Sequence, residues 1–168
     1  MISPAHAQAM ARYNRWQNRS IYGAADTLTD DQRRESRGAF FGSIHGTLNH
    51  ILWGDRTWMS RLAGWESPTV KSGRESPGYF PDWEHLKRER QASDEALIAW
   101  ADGLDAAALE GDFSYFSPMA NRQITKPRWL LVTHLFNHQT HHRGQVHCLL
   151  TQLGCKPEDT DLPFGPEA

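Results

Sequence analysis

The chain has 168 residues, with 18 Lys and Arg against 20 Asp and Glu, a net charge of −2 with histidine neutral. That near-balance, without a long basic run, argues against tight electrostatic binding to nucleic acid, and no apolar run approaches a membrane span. The length predicts a single domain over residues 1–168 with a substantial core, and no internal repeat interrupts it. The start, Met1-Ile2-Ser3-Pro4-Ala5-His6, lacks the basic-then-apolar layout of a secretory signal. Two cysteines, Cys148 and Cys155, lie outside any C-x-x-C motif, which predicts a reduced, cytoplasmic protein without a disulfide and with Cys148 in the core or half-buried. Seven tryptophans serve mainly as core anchors, with some left to line a pocket.

The first predicted element is a helix from about Pro4 to Thr27, where Met10, Tyr13, Gln17, Ile21 and Ala24 recur at helical spacing. Leu28 to Arg33 reads as a cap and one or two further turns, with Thr29 as N-cap and Gln32 completing a capping box. Ser43 opens a second long helix to about Leu62, apolar at Ile44, Leu48, Ile51, Leu52, Trp58, Met59 and Leu62, and Gly64 stops it. The stretch from Gly64 to Pro81 is rich in Gly, Pro and Ser and lacks periodicity, so it reads as a long functional or mobile loop. Asp82 caps a third helix carrying Trp83, Leu86, Leu97, Trp100 and Leu104. Phe113–Ser117 and Arg122–Lys126 flank Pro118-Met119-Ala120-Asn121 and predict a small β-hairpin. The last helix runs from Arg128 to Leu153, with Pro127 suited to its first position and Gly154 to its stop. Four long helices with one long crossover predict an all-α four-helix bundle.

Chemistry concentrates in the last helix. His138 and His142 stand one turn apart, so both imidazoles lie on one face and can share a metal ion if a third ligand comes from another helix. At about 100° per residue, Leu131, Leu135, Val146, Leu149, Leu150 and Leu153 centre roughly 70° from His138, with His142 in between. His138 and His142 therefore point into the core or its edge. His134 and His141 lie farther round, and His147 is placed to face water. His138-Gln139-Thr140-His141-His142 has the histidine spacing of a zinc-protease helix, but Gln139 stands where that chemistry needs a glutamate base, so proteolysis is disfavoured. On the second helix three candidates remain open. His50 sits well off the apolar stripe, His45 is nearer its edge, and Asp55 falls almost mid-stripe, which demands a partner for its carboxylate.

The segments Tyr13-Asn14-Arg15-Trp16-Gln17-Asn18, Leu48-Asn49-His50-Ile51 with a following acidic residue and Trp58, and His138-x-x-x-His142-Arg143-Gly144-Gln145 together resemble the DinB/YfiT-like superfamily. The resemblance covers nearly the whole chain, and its most specific element is the final His-x-x-x-His-Arg-Gly-Gln. It implies a four-helix bundle, often a homodimer, holding a divalent metal such as zinc or nickel with His50, His138 and His142. His45 is then explained by exposure near a helix start. The same resemblance implies a link to stress response through DNA-damage induction. Arg143 is expected in a structural ion pair, and Gln145 is expected to orient a ligand.

Two classes of function follow. In the first, the protein is a metalloenzyme acting on a small molecule, either as a transferase that activates a low-molecular-weight thiol or as a hydrolase that activates water. Trp53 and Trp58 would line its mouth, and His134 and His141 are candidate proton shuttles that more readily take solvated or packing roles. In the second, the protein is non-enzymatic, a stress-response or interaction module whose metal is structural or absent. Neither nucleic acid nor a membrane is expected as a partner.

Overall fold

The computed structural model describes residues 1–118 and 120–165. Met119, in the predicted hairpin turn, lies outside the described residues. Helix α1 spans Pro4–Asp26, with Ser3 Oγ accepting from the His6 N–H and Pro4 at the first turn, where its missing donor costs nothing. The short α2, Asp30–Arg34, starts in the predicted capping box: the Gln32 N–H donates to Thr29 Oγ1 and the Thr29 N–H to Gln32 Oε1. Helix α3, Ile44–Leu62, is capped by Ser43 Oγ and terminates before Gly64, whose φ of 70° suits glycine. Helix α4, Trp83–Asp102, begins at Asp82, whose carboxylate accepts from the His85 N–H. Strands β1 (Asp112–Ser117) and β2 (Arg122–Pro127) pair antiparallel, and helix α5, Arg128–Gln152, follows directly. Pro127 is thus the last residue of β2 and the N-cap of α5. Its extended ψ of 136° keeps it outside the helix.

Helices α1, α3, α4 and α5 form the bundle, and α5 packs against both α1 and α3. Gly54 meets His138, and Trp58, one turn further on, meets His134, one turn earlier, so α3 and α5 run antiparallel. The chain beyond α5 folds back along α1. Tyr13 Oη donates to the Thr160 carbonyl, Trp16 Nε1 to Glu158 and Gln17 Nε2 to the Asp159 carbonyl, each at 2.8 Å. No described helix is long and apolar enough to cross a membrane.

The core is divided. One apolar cluster joins Ile21, Leu48, Ile51, Leu52, Trp83, Leu86 and Leu150; another joins Ala11, Met59, Leu97, Val132, Leu135 and Phe136. Between them lies a buried polar layer drawn from all four bundle helices: Asn14 and Asn18, Asp55, Arg90 and Asp94, Gln139 and Arg143. Asp55, the mid-stripe carboxylate that needed a partner, accepts from Arg90 Nη1 at 2.5 Å, and Arg90 Nη2 lies 2.9 Å from Asp94 Oδ1. Asn14 and Asn18 donate to the same Asp94 oxygen at 3.2 and 2.9 Å. Gln139 lies against Asp55 without a well-formed hydrogen bond. Arg143 makes no ion pair among the described residues, contrary to the sequence expectation. It donates to Asn14 Oδ1 and Thr140 Oγ1 and lies over the Tyr13 ring, because α1 rather than an acidic helix face is opposite.

Three further expectations are corrected. His45 is 3% exposed rather than solvated, and its Nε2 lies 3.1 Å from the Phe80 carbonyl. The long loop before α4 explains this: a 3-10 turn at Ser76–Gly78 packs on α3 and buries a second face of that helix. Cys148 is exposed, since the buried side of α5 at this level is taken by Val146, Leu149 and Leu150. His147 is half-buried rather than open to water, on a helix that packs against both α1 and α3.

Candidate metal centre

His50 of α3 meets His138 and His142 of α5 at the level of the polar layer. The ring centroids stand 5.1 Å (His50–His138), 4.7 Å (His50–His142) and 4.6 Å (His138–His142) apart, and one nitrogen from each ring lies within 4.8 Å of the others. Among the described residues this is the cluster of three metal-ligating side chains. His50 and His142 are buried and His138 is half-buried. His134 and His141 are exposed, each one ring away: His134 lies 5.9 Å from His138, and His141 lies 4.8 Å from His142. His45 points to Phe80 and Trp83 instead, as the 140° or so between positions five apart on a helix requires.

Outer hydrogen bonds fix two of the rings. Ser76 Oγ donates its proton to the Gly73 carbonyl at 2.7 Å, so toward His50 it can only accept, and the His50 Nδ1–H donates to it at 2.8 Å. The His50 Nε2 lone pair is thereby turned toward the cluster. In the same way the His142 Nδ1–H donates to Gln145 Oε1 at 2.8 Å, leaving Nε2 of His142 as the free nitrogen. Such partners orient histidine ligands and raise their basicity. His138 Nδ1 is buried without a partner among the described residues. The ring is held by packing: a Cβ built on Gly54 would stand 2.7 Å from His138 Cε1. Phe41 stacks on His50 at 3.6 Å and meets His142 edge-on, while Trp53 flanks His50 at 5.7 Å.

The donor set fits a divalent ion. Burial, and after it the neighbouring imidazoles, push the pKa of His50 and His138 down to about 3. His142 is lowered by burial against the opposing Gln145 hydrogen bond. At neutral pH these rings are therefore unprotonated, the form that ligates metal. The facing Nε2 atoms of His50 and His138 are 3.1 Å apart. Two nitrogens each about 2.0–2.1 Å from one ion stand roughly 3 Å apart. A three-nitrogen set without a carboxylate suits zinc or nickel better than magnesium or calcium.

Sequence reasoning marked His50, His138, His142 and Gln145, and the structure brings all four together. It did not mark Phe41, Gly54 or Ser76. Gly54 left a trace, because glycine inside a helix costs roughly 1 kcal/mol relative to alanine and so asks for a reason. Ser76, in a 3-10 turn, and Phe41, in a turn before α3, lie outside the long periodic helices and left none.

Four helices in a bundle, with three histidines converging from two of them, define this as a helical-bundle protein with a candidate metal centre. The family profile that matches residues 1–168 is that of the DinB family, and the chain belongs to that family. Protein DinB of Bacillus subtilis (strain 168) is 24% identical over 163 residues, covering 89% of this chain and 87% of that protein. The fold is also that of YfiT from Bacillus subtilis, described as a probable metal-dependent hydrolase with an unusual four-helix bundle topology. The TM-score is 0.66 at 14% identity, over 93% of this chain and 92% of YfiT.

Proposed function

We propose that this protein is a metal-dependent enzyme of the hydrolase type, acting on a small molecule at a divalent ion held by His50, His138 and His142. The observation that carries the reading is the convergence of three neutral imidazoles, two of them fixed by outer hydrogen bonds. Three protein ligands leave a coordination position free, whereas structural zinc sites usually hold four. An ion bound there supplies Lewis acidity and lowers the pKa of a nucleophile that reaches it.

The chain's own part is to keep the rings oriented. Ser76 and Gln145 hold the outer nitrogens of His50 and His142, and Phe41 covers the face of His50 and meets His142 edge-on. His141, exposed beside His142, accepts a hydrogen bond from Gln145 Nε2 at 3.4 Å and is placed to exchange protons with solvent. Water is taken as the nucleophile rather than a thiol. YfiT's description as a probable hydrolase supports the same choice.

The test uses untagged protein. Bound metal is counted, and activity on a panel of esters and amides is compared with conjugation of small thiols to electrophiles. About one divalent ion per chain, with hydrolysis lost in His138→Ala, is the expected result. Substoichiometric metal would overturn the metal reading, and turnover confined to thiol conjugation would replace hydrolysis with transfer.

A further inference from the structure

Arg61 lies in the last turn of α3, half-buried, with its guanidinium Cζ 4.8 Å from the Trp58 ring centre and 4.6 Å from that of Tyr115 on β1. Among the described residues it has neither an ion pair nor a hydrogen bond. Other shielded arginines do have partners: Arg56 pairs with Glu89 at 2.5 Å, Arg90 with Asp55 and Asp94, and Arg33 donates to the Ala25 and Leu28 carbonyls. Burial presses the pKa of Arg61 downward, and the charge that opposes this comes from Tyr115 rather than from a carboxylate. The C-terminal end of α3 makes an unpaired cation tolerable, but it supplies no partner for the N–H groups.

The cluster is continuous with the metal centre. His134 packs edge-on to Trp58 at 4.9 Å and stands 5.9 Å from His138. Gly54, level with His138, precedes Arg61 by seven residues, or about 10 Å along the helix, and a helical side chain leans back toward the N-terminus. Trp58 and Tyr115 meet edge-to-face, 5.3 Å between centroids at 75°, so both rings lie on one side of the guanidinium and its other side is left for a ligand. A guanidinium held this way can grip a planar anion with two parallel hydrogen bonds.

We infer that Arg61, packed against Trp58 and Tyr115, is an anion subsite beside the metal centre that takes the carboxylate of a small-molecule ligand. A single guanidinium matches the charge and shape of one carboxylate, whereas a phosphate dianion calls for further donors. The ligand's other end then reaches His138 across the His134 ring, which limits it to a span of roughly 10 Å. Its role as a substrate subsite rests on the proposed metal-dependent activity; the anion site itself does not.

The probe is propionate, with propionamide as its uncharged counterpart, titrated into 15N-labelled full-length protein, metal-free and zinc-loaded. The signal is the Trp58 indole N–H resonance, assigned with Trp58→Phe. Wild type should show a saturable shift with propionate in the metal-free protein and none with propionamide. Arg61→Gln should weaken the site about tenfold or more, and Arg61→Lys, which keeps the charge and loses the fork, should weaken it less. Arg61→Lys also preserves the fold if Arg61→Gln loosens the hairpin, and unchanged thermal unfolding of the lysine variant checks this. A response equal in wild type and both variants, or none in wild type, overturns the inference. Saturation by inorganic phosphate but not propionate overturns the carboxylate assignment. Because the metal-free arm is read separately, absence of a metal site would leave this result standing.

Discussion

Gly54→Ala separates the demands of the helix from those of the metal centre. The added Cβ would stand 2.7 Å from His138 Cε1 and 3.2 Å from Nδ1. Ordinary carbon–carbon contact begins near 3.5 Å, so the imidazole must retreat by about 0.8 Å. Metal–ligand distances tolerate only about 0.2 Å, so the displaced ring holds an ion poorly, and a loss of roughly 10- to 100-fold in affinity is expected, the scale of damage seen when a ligand's supporting contacts are removed. Alanine meanwhile favours the helix by up to about 1 kcal/mol over glycine, and the ring that must move is a side chain rather than backbone. The metal-free variant should therefore unfold within about 1 kcal/mol of wild type, or slightly above it, while competition against a chromophoric chelator shows weakened zinc binding. Zinc should accordingly raise the melting temperature of the variant less than that of wild type. Wild-type zinc affinity in Gly54→Ala would refute the claim that this glycine makes room for His138.

His50→Ala should lose stoichiometric zinc, read by metal analysis after dialysis, whereas His45→Ala and His147→Ala should keep it. His45→Ala should instead cost about 1–3 kcal/mol in urea unfolding, because it removes a buried ring and one of the two donors, with Asn49 Nδ2, to the Phe80 carbonyl. Arg90→Met leaves Asp55 and Asp94 buried without their cation, so a loss of about 3–5 kcal/mol is expected, and a loss below about 1 kcal/mol would contradict the account of the polar layer. Stability should also fall with acid through His45, whose pKa is lowered by burial and by the nearby Arg34 against the pull of the Phe80 carbonyl. The unfolded chain takes up this proton first, so the contribution is complete above about pH 6.5 and declines as pH drops toward the lower folded value. Urea midpoints at pH 7.5 and about 5 should fall less in His45→Gln than in wild type, and equal falls would refute the assignment.

Much of the candidate site was legible because α-helical spacing is itself a geometric rule. His138 and His142 share a face whatever the bundle does, and the run that follows them supplied Gln145 within reach of His142. The same rule failed on α3. From Ile44 to Leu52 every residue is buried, so apolar periodicity could not tell inside from outside, and it left His45, His50 and Asp55 nearly equal. The chain that buries the second face, around Ser76, comes from a stretch without periodicity, and its docking is a tertiary event. Resemblance to a family picked His50 where the helical wheel did not.

Local elements follow from residues that are neighbours along the chain. Ser3, the Thr29–Gln32 box, Ser43 and Asp82 satisfy helix N-termini through atoms at most three residues away, and Gly64 and Gly154 adopt positive φ where helices stop. These interactions need only the chain's own neighbourhood. The tertiary structure alone decided which charges could be buried and which could not be paired. Asp55 and Arg90 are 35 positions apart and meet in the bundle's centre, while Arg61 reaches two aromatic rings and no described carboxylate. Desolvation and Coulomb attraction depend on distances across helices, and those distances are set only when four helices pack at once.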